Sequence, residues 1–171
     1  MPAAAPVLRI EPLSDGHDRE GFASGIEPLD TYLRQRARQD VRRRVASCFV
    51  LVSVNNPTPL GYYTLAATSL ALVNLPEALA RRLPHYPVMP AILMGRLAVD
   101  ARHRLQRHGE FLLLDAFRRA LRSDIASYAF VVDAKDHDAS QFYRRYGFAP
   151  LIEGGRRLFM PMAEIAKLFA Q

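Results

Sequence analysis

The sequence holds a single cysteine, Cys48, and no tryptophan among its 171 residues. One cysteine excludes an intramolecular disulfide framework and any cysteine-rich zinc site. Long apolar runs are also missing. The longest largely apolar stretches, Cys48–Val54 and Ala126–Val132, fall well short of the ~18 residues that a spanning helix requires, so no membrane partner is expected. The five histidines show no ligand spacing such as HxxxH, and no metal site is expected. The start, Met1-Pro2-Ala3-Ala4-Ala5-Pro6, lacks the basic region and apolar run of a signal peptide, which points to the cytoplasm. No repeat, low-complexity segment or long linker divides the chain. Its length fits one domain, 1–171, large enough to bury a core without staples.

Lysine is nearly absent. It occurs only as Lys135 and Lys167, and the other 21 of 23 basic residues are arginine, against 17 acidic residues, for a net charge of +6. Guanidinium forks pair with phosphate and stack on bases, so the imbalance suits a polyanionic partner. A GC-rich codon bias produces the same imbalance, and arginine also lies well along helix surfaces. Charge alone does not separate these readings.

Leu29, Leu33, Ala37 and Val41 recur every four residues, a spacing that drifts slowly around one face of a helix over Leu29–Arg44. Arg34, Arg36, Arg38, Arg42, Arg43 and Arg44 cover much of the remainder, giving a basic face. Ala46–Val54 and Leu60–Leu65 read as a hairpin about the turn signal Asn55-Asn56-Pro57. Pro76–Leu83 opens a short helix, and the proline-rich Leu83–Pro90 is extended. Ile92–Val99 reads as a strand, Asp100–Gly109 as a polar loop and Glu110–Leu121 as a helix. Strand and helix then repeat in Ala126–Val132 and Asp136–Tyr146, the latter ended by Gly147 at a left-handed cap position. Arg156–Met160 and Glu164–Phe169 complete the chain as a strand and a short helix. Two successive strand–helix units imply right-handed crossovers, hence an α/β fold with a mixed sheet.

Three fragments occur in a characteristic order: Arg96-Leu97-Ala98-Val99-Asp100, then Arg104 to Gly109, then Ala139-Ser140-Gln141-Phe142-Tyr143-Arg144-Arg145-Tyr146-Gly147-Phe148. Together they resemble the GNAT acetyltransferase family. Phe22–Leu33, Gly61–Leu65 and Val132–Lys135 extend the match to the TacT-like toxins of type II toxin–antitoxin modules, so that the resemblance covers about Phe22 to Met162. It implies a GNAT acyl-CoA N-acyltransferase fold, whose mixed sheet has two splayed parallel strands that admit the pantetheine arm of acetyl-CoA, here along Leu97, Ala98 and Val99. The loop that follows places backbone N–H groups at a helix N-terminus, where the dipole favours a pyrophosphate. By this resemblance Arg104, Arg107, His108, Gly109, Glu110, Asp136 and Phe142 also contact acetyl-CoA. From the residues alone, the first fragment is equally a buried strand ending in a capping Asp100, Asp136 is equally a plain helix N-cap, and His103 and His108 read as solvated loop histidines.

The loop departs from the family pattern. Arg104-Leu105-Gln106-Arg107-His108-Gly109 keeps the first and last elements of the usual motif, but Arg107 occupies its middle glycine and Leu105 the subgroup's frequent extra glycine. A positive φ at Arg107 would strain the backbone. Its guanidinium, with that of Arg104, would alternatively add ionic hydrogen bonds to the phosphates.

In the family the tyrosine corresponding to Tyr143 donates a proton to the departing thiolate, a role within reach of a phenol of pKa near 10. The residues themselves leave open that Phe142 and Tyr143 are both aromatic packing, with Phe142 in the core. Cys48 lies in a buried-looking strand with no nucleophile motif around it, and Asp133 and Lys135 read as a surface ion pair. The subgroup acetylates the α-amine of aminoacyl-tRNA and so blocks translation. On that reading Arg34, Arg38, Arg42, Arg43, Arg44, Arg81 and Arg82 hold tRNA, as Arg144 and Arg145 would, a ribbon-helix-helix antitoxin binds, and the protein is a homodimer. The basic helix is also an ordinary solvated face. An acetyltransferase of small amines or protein N-termini, and a degenerate binding protein with a weakened acetyl-CoA loop, remain alternatives.

Overall fold

The computed structural model describes residues 2–170; Met1 and Gln171, the ends of the expected 1–171 domain, lie outside the described residues. Seven strands form one hydrogen-bonded sheet in the order β1-β2-β3-β4-β5-β7-β6. They are β1 (Leu8–Pro12), β2 (Ser47–Ser53), β3 (Asn56–Ala71), β4 (Val88–Val99), β5 (Ala129–Asp133), β6 (Ala149–Pro150) and β7 (Arg157–Pro161). The β4–β5 pair is parallel, while β1–β2, β2–β3, β5–β7 and β6–β7 are antiparallel, which makes the sheet mixed as expected. The helices are α1 (Glu27–Thr31), α2 (Ala37–Arg42), α3 (Glu77–Ala80), α4 (His108–Arg122), α5 (His137–Arg144) and α6 (Met162–Leu168). The chain forms two compact units, 1–65 with 96–116 and 66–95 with 117–171, and the division falls within β3, β4 and α4.

In the first unit, α1 and α2 are joined through a π turn, Tyr32–Arg36, so that 27–42 is helical throughout. The four-residue apolar spacing explains the turn. An α-helix would carry Leu29, Leu33, Ala37 and Val41 progressively off one face, whereas one wider i→i+5 turn restores the register. Leu33 and Ala37 are fully buried, and Leu29 and Val41 pack on the same cluster, against Cys48, Val50, Val52 and Tyr62. Tyr62 also donates its hydroxyl to the Leu29 carbonyl at 2.7 Å. Alternate residues of β2 reach this cluster, the period of a strand. The expected β2–β3 hairpin is present, but Ser53 already pairs with Asn56, which leaves Val54 and Asn55 as the turn. Cys48 is buried, and burial pushes its thiol up to about 12, an inert state at neutral pH.

The second unit covers both faces of β5. Ala129 and Val131 join Leu70, Leu75, Met89 and Phe159. Phe130 stacks edge-on against Phe117 of α4 at 5.1 Å, and both rings meet Phe148. A buried phenylalanine of this kind is worth ~3–5 kcal/mol against alanine. Past α5 the chain turns at Gly147, whose φ of +106° is the left-handed conformation expected of a cap. Asp133 pairs not with Lys135 but with Arg157 across the β5–β7 ladder, in a two-bond fork of 2.8 and 3.0 Å. Opposite strand positions bring these side chains together, whereas Lys135 lies beyond the strand.

Candidate active site

The parallel β4–β5 ladder runs from Ala91↔Ala129 to Met94↔Val132 and ends there, while β4 continues to Val99. In the first unit, Ala98 is buried and Leu97 and Val99 are half-buried. A Cβ at Gly61 would stand 2.8 Å from the Ala98 carbonyl oxygen, so only glycine allows the backbones to approach this closely. Asp100, fully buried, closes the strand. Its carboxylate accepts from the Arg102 N–H and guanidinium, each at 2.9 Å, and from the Ala23 N–H at 3.1 Å. The Arg102 hydrogen bonds, with those from the backbone, hold its pKa down at about 2 against the opposing effect of burial. Asp100 thus caps the short turn Ala101–His103, and it also ties in a distant segment.

Beyond that turn, Leu105 and Arg107 have φ of 66° and 59°. These are the two positions at which the family pattern carries glycine, and the loop keeps a left-handed conformation there with larger residues. Arg107 Nε bonds the Glu110 carboxylate at 2.8 Å, so its charge is partly neutralised within the loop while the guanidinium stays exposed. Arg104 is directed elsewhere: its Nη2 donates to the Ser24 carbonyl at 2.8 Å. Helix α4 begins at His108, with Gly109 half-buried in its first turn; the first N–H groups of an α-helix have no intrahelical partner, which makes this end electropositive. His108 is buried, contrary to its expectation as a solvated histidine. Burial first, and the neighbouring His103 second, lower its pKa.

In the second unit, Asp136 accepts from the Ala139 N–H at 2.8 Å and caps α5, the plain structural role. About two turns on, Tyr143 is buried and Phe142 only half-buried, the reverse of the expected placing of Phe142 in the core. Helix geometry turns adjacent residues ~100° apart, and the inward direction belongs to Tyr143. Its ring packs edge-on against Phe142 at 5.3 Å and Phe148 at 5.6 Å. Burial first, and the negative Asp133 second, push the Tyr143 phenol above the ordinary tyrosine value, so it stays protonated throughout the neutral range. The phenol is thus a protonated group whose ring lies between Phe142 and Phe148.

The arginines expected to hold tRNA divide by environment. Arg42, Arg43 and Arg44 are exposed at the end of α2, with Arg44 at φ 59°. Arg34 is half-buried and turned inward: its guanidinium donates to the Phe22 carbonyl, and its Nε is buried without a partner among the described residues. Arg38 is mostly buried in an ion pair with Asp15. Arg81, Arg82, Arg144 and Arg145 are all exposed, and Arg81 also pairs with Glu77 at 2.5 Å. No group of metal-ligating side chains occurs among the described residues, and no described helix is long and apolar enough to cross a membrane. Sequence reasoning missed Asp100 as a junction, together with Arg19, Asp30 and Arg102. The i, i+2 pair Asp100 and Arg102 was the available signal.

No family model matches the chain. It is 36% identical over 138 residues to a tRNA-acetylating toxin of Mycobacterium tuberculosis, covering 80% of this chain and 81% of the relative. It is 28% identical over 169 residues to the probable toxin TacT of Sinorhizobium fredii, with 93% of each chain covered. Among solved structures, a tyrosine-to-phenylalanine variant of KacT superposes with a TM-score of 0.88 at 31% identity, covering 95% of this chain and 99% of that one. AtaT complexed with acetyl-methionyl-tRNAfMet gives 0.84 at 29% identity, covering 96% and 100%. The mixed sheet, the order of the motifs and these similarities agree: the chain belongs to the GNAT-fold tRNA-acetylating toxins.

Proposed function

We propose that the protein transfers the acetyl group of acetyl-CoA to the α-amine of the amino acid on a charged tRNA, removing the nucleophile that peptide-bond formation requires. The observation that carries the chemistry is the end of the β4–β5 ladder at Met94↔Val132 with β4 running on to Val99, because a strand edge released from its partner can pair with a pantetheine arm. The loop fits this reading, since Leu105 and Arg107 hold the left-handed conformation and α4 offers its N-terminal N–H groups to a pyrophosphate. Acetyl-CoA supplies the acetyl group as a thioester. The uncharged amine attacks the thioester carbonyl, a C–N bond forms as the C–S bond breaks, and the amine's extra proton passes to solvent. Tyr143 delivers its phenolic proton to the departing sulfur and is reprotonated from water.

The substrate class rests on the relatives: one is named for tRNA acetylation and another was solved with an acetylated aminoacyl-tRNA. The exposed Arg42, Arg43, Arg44 and Arg82 suit phosphate contacts. AtaT has been solved with the C-terminus of the antitoxin AtaR, and KacT as a KacTA–DNA complex. We extend to this chain an antitoxin partner of the ribbon-helix-helix type, a homodimeric state, a single catalytic domain and residence in the cytoplasm with its substrate.

Incubating the purified protein with labelled acetyl-CoA and total charged tRNA tests the proposal. Label on the α-amine of a subset of aminoacyl-tRNAs is expected. Label confined to small amines or protein N-termini would transfer the protein to the alternative acetyltransferase class. Absence of turnover, with no calorimetric saturation at millimolar acetyl-CoA, would leave a degenerate binding protein.

A further inference from the structure

The backbone of 21–25 is held group by group from two directions. From the end of β4, Asp100 accepts from the Ala23 N–H at 3.1 Å and Ala101 donates to the Ala23 carbonyl at 2.9 Å. From the loop beyond, Arg102 donates to the Gly21 carbonyl at 2.7 Å and Arg104 to the Ser24 carbonyl at 2.8 Å. On the helix side, Arg34 donates to the Phe22 carbonyl. Asp30, itself buried, accepts from the Ser24 N–H at 2.9 Å, the Ser24 hydroxyl at 2.5 Å and the Gly25 N–H at 3.3 Å. Arg19 bonds the Leu33 and Arg34 carbonyls of the π turn at 3.3 and 3.1 Å, which satisfies acceptors displaced by the wider turn.

Loops at a surface ordinarily leave many of their polar groups to water and remain mobile. This one is fastened by charged side chains whose hydrogen bonds are about twice as strong as neutral ones. Phe22 and Ser24 face inward, whereas the exposed Ala23 and Gly25 present almost no side chain. The outward surface is therefore smooth and fixed, and it adjoins Asp100 and Ala101 immediately past the strand assigned to the thioester arm.

We propose that Arg104 is a positioning residue, joining the phosphate-binding loop to 21–25 so that this segment forms a rigid wall for the aminoacyl end of the acceptor, and that it is not a ligand of the cofactor phosphates. The assignment rests on the function proposed above. Its physical basis is that Arg104 Nη2 is engaged by the Ser24 carbonyl at 2.8 Å, which directs the guanidinium toward 21–25.

Full-length Arg104→Ala and Arg104→Lys proteins test this, with Arg102→Ala as a second variant because its side chain is largely exposed. For Arg104→Ala, the KM for aminoacyl-tRNA should rise at least tenfold while the calorimetric Kd for acetyl-CoA changes less than twofold. Arg104→Lys, which can still donate one bond to Ser24, should recover part of the loss, and Arg102→Ala should move the same parameter several-fold. Amide hydrogen exchange should accelerate at Ser24 and Gly25 in Arg104→Ala, a readout that does not depend on turnover. A tenfold weaker acetyl-CoA Kd with an unchanged acceptor KM would assign Arg104 to the phosphates and overturn the proposal. Unchanged kinetics and exchange would overturn it equally. Wild-type protein that fails to acetylate charged tRNA would instead overturn the proposed function, and the exchange result would still decide whether Arg104 holds the segment.

Discussion

Leu105 and Arg107 stand at φ 66° and 59° on either side of Gln106, so the loop entering α4 is left-handed twice within three residues. A side chain in that conformation costs roughly 1–2 kcal/mol, and glycine avoids the cost while losing about 0.5–1 kcal/mol through its freer unfolded chain. Leu105 is fully exposed and gives up no packing. Leu105→Gly should therefore stabilise the protein by roughly 0.5–1 kcal/mol, a rise of about 1–4 °C in Tm for a chain of this size. Leu105→Ala, which keeps the strained Cβ, should give no such rise. Thermal unfolding of both variants decides the matter, and acetyl-CoA affinity should be retained in each.

Removing the Tyr143 hydroxyl takes away the proposed proton donor but leaves the ring that packs on Phe142 and Phe148. Tyr143→Phe should fold with unchanged Tm and acetyl-CoA Kd, and kcat should fall by about 10²–10⁴, the usual contribution of general acid catalysis. The wild-type pH profile carries the same signature. Because burial and Asp133 raise the phenol's pKa, kcat should rise with deprotonation of the amine and show no descending limb below pH about 10. A descending limb between pH 8 and 9 in kcat would exclude Tyr143 as the acid.

These two sites differ in how far the chain announces them. The apolar run into Asp100, the loop and the periodic helix after it are local patterns, and each is found in the order the sequence places it, with β4 beginning four residues early at Val88 and α4 two residues early at His108. The strand β1 is not local: Leu8–Pro12 becomes a strand through pairing with β2, from Leu8↔Ser53 to Pro12↔Phe49, and five residues carry no periodicity of their own. The two-residue β6 is legible only against β7. The π turn was present in the pattern as the four-residue spacing of Leu29, Leu33, Ala37 and Val41, a drift that a wider turn corrects. Tyr143 was legible as a residue type in a motif, but its inward direction depends on how α5 meets Phe148, a contact between separate elements.

Asp100 gives the protein an acid sensitivity with a defined sign. Its folded pKa is depressed to about 2, chiefly by hydrogen bonds from Arg102, and unfolding returns it to the ordinary aspartate value near 3.8. Its contribution to stability is therefore complete above pH 4 and is lost as the pH falls toward 2. Asp100→Asn should flatten this part of the profile: compared with wild type, it should lose stability at pH 7 and lose less on further acidification to pH 2.5. Urea unfolding at the two pH values measures both effects. An equal stability loss at both pH values would show that Asp100 acts through its shape alone.

Arg34 and the Arg42–Arg44 cluster belong to one helical segment and should respond oppositely to substitution. Arg42, Arg43 and Arg44 are solvent-exposed, so the triple alanine variant should leave the acetyl-CoA Kd unchanged and weaken binding of charged tRNA. Each phosphate contact removed lowers the slope of log affinity against log salt by about 0.9 or less, so the wild-type and variant curves should converge at high salt. Arg34→Ala should leave the salt slope unchanged, because that guanidinium already serves the Phe22 carbonyl. Its loss should appear as a destabilisation of about 1–3 kcal/mol, the cost of leaving a buried acceptor unpaired. Salt titrations of tRNA binding together with urea unfolding separate the two residues' roles. A reduced slope in Arg34→Ala at unchanged stability would return Arg34 to the nucleic-acid face.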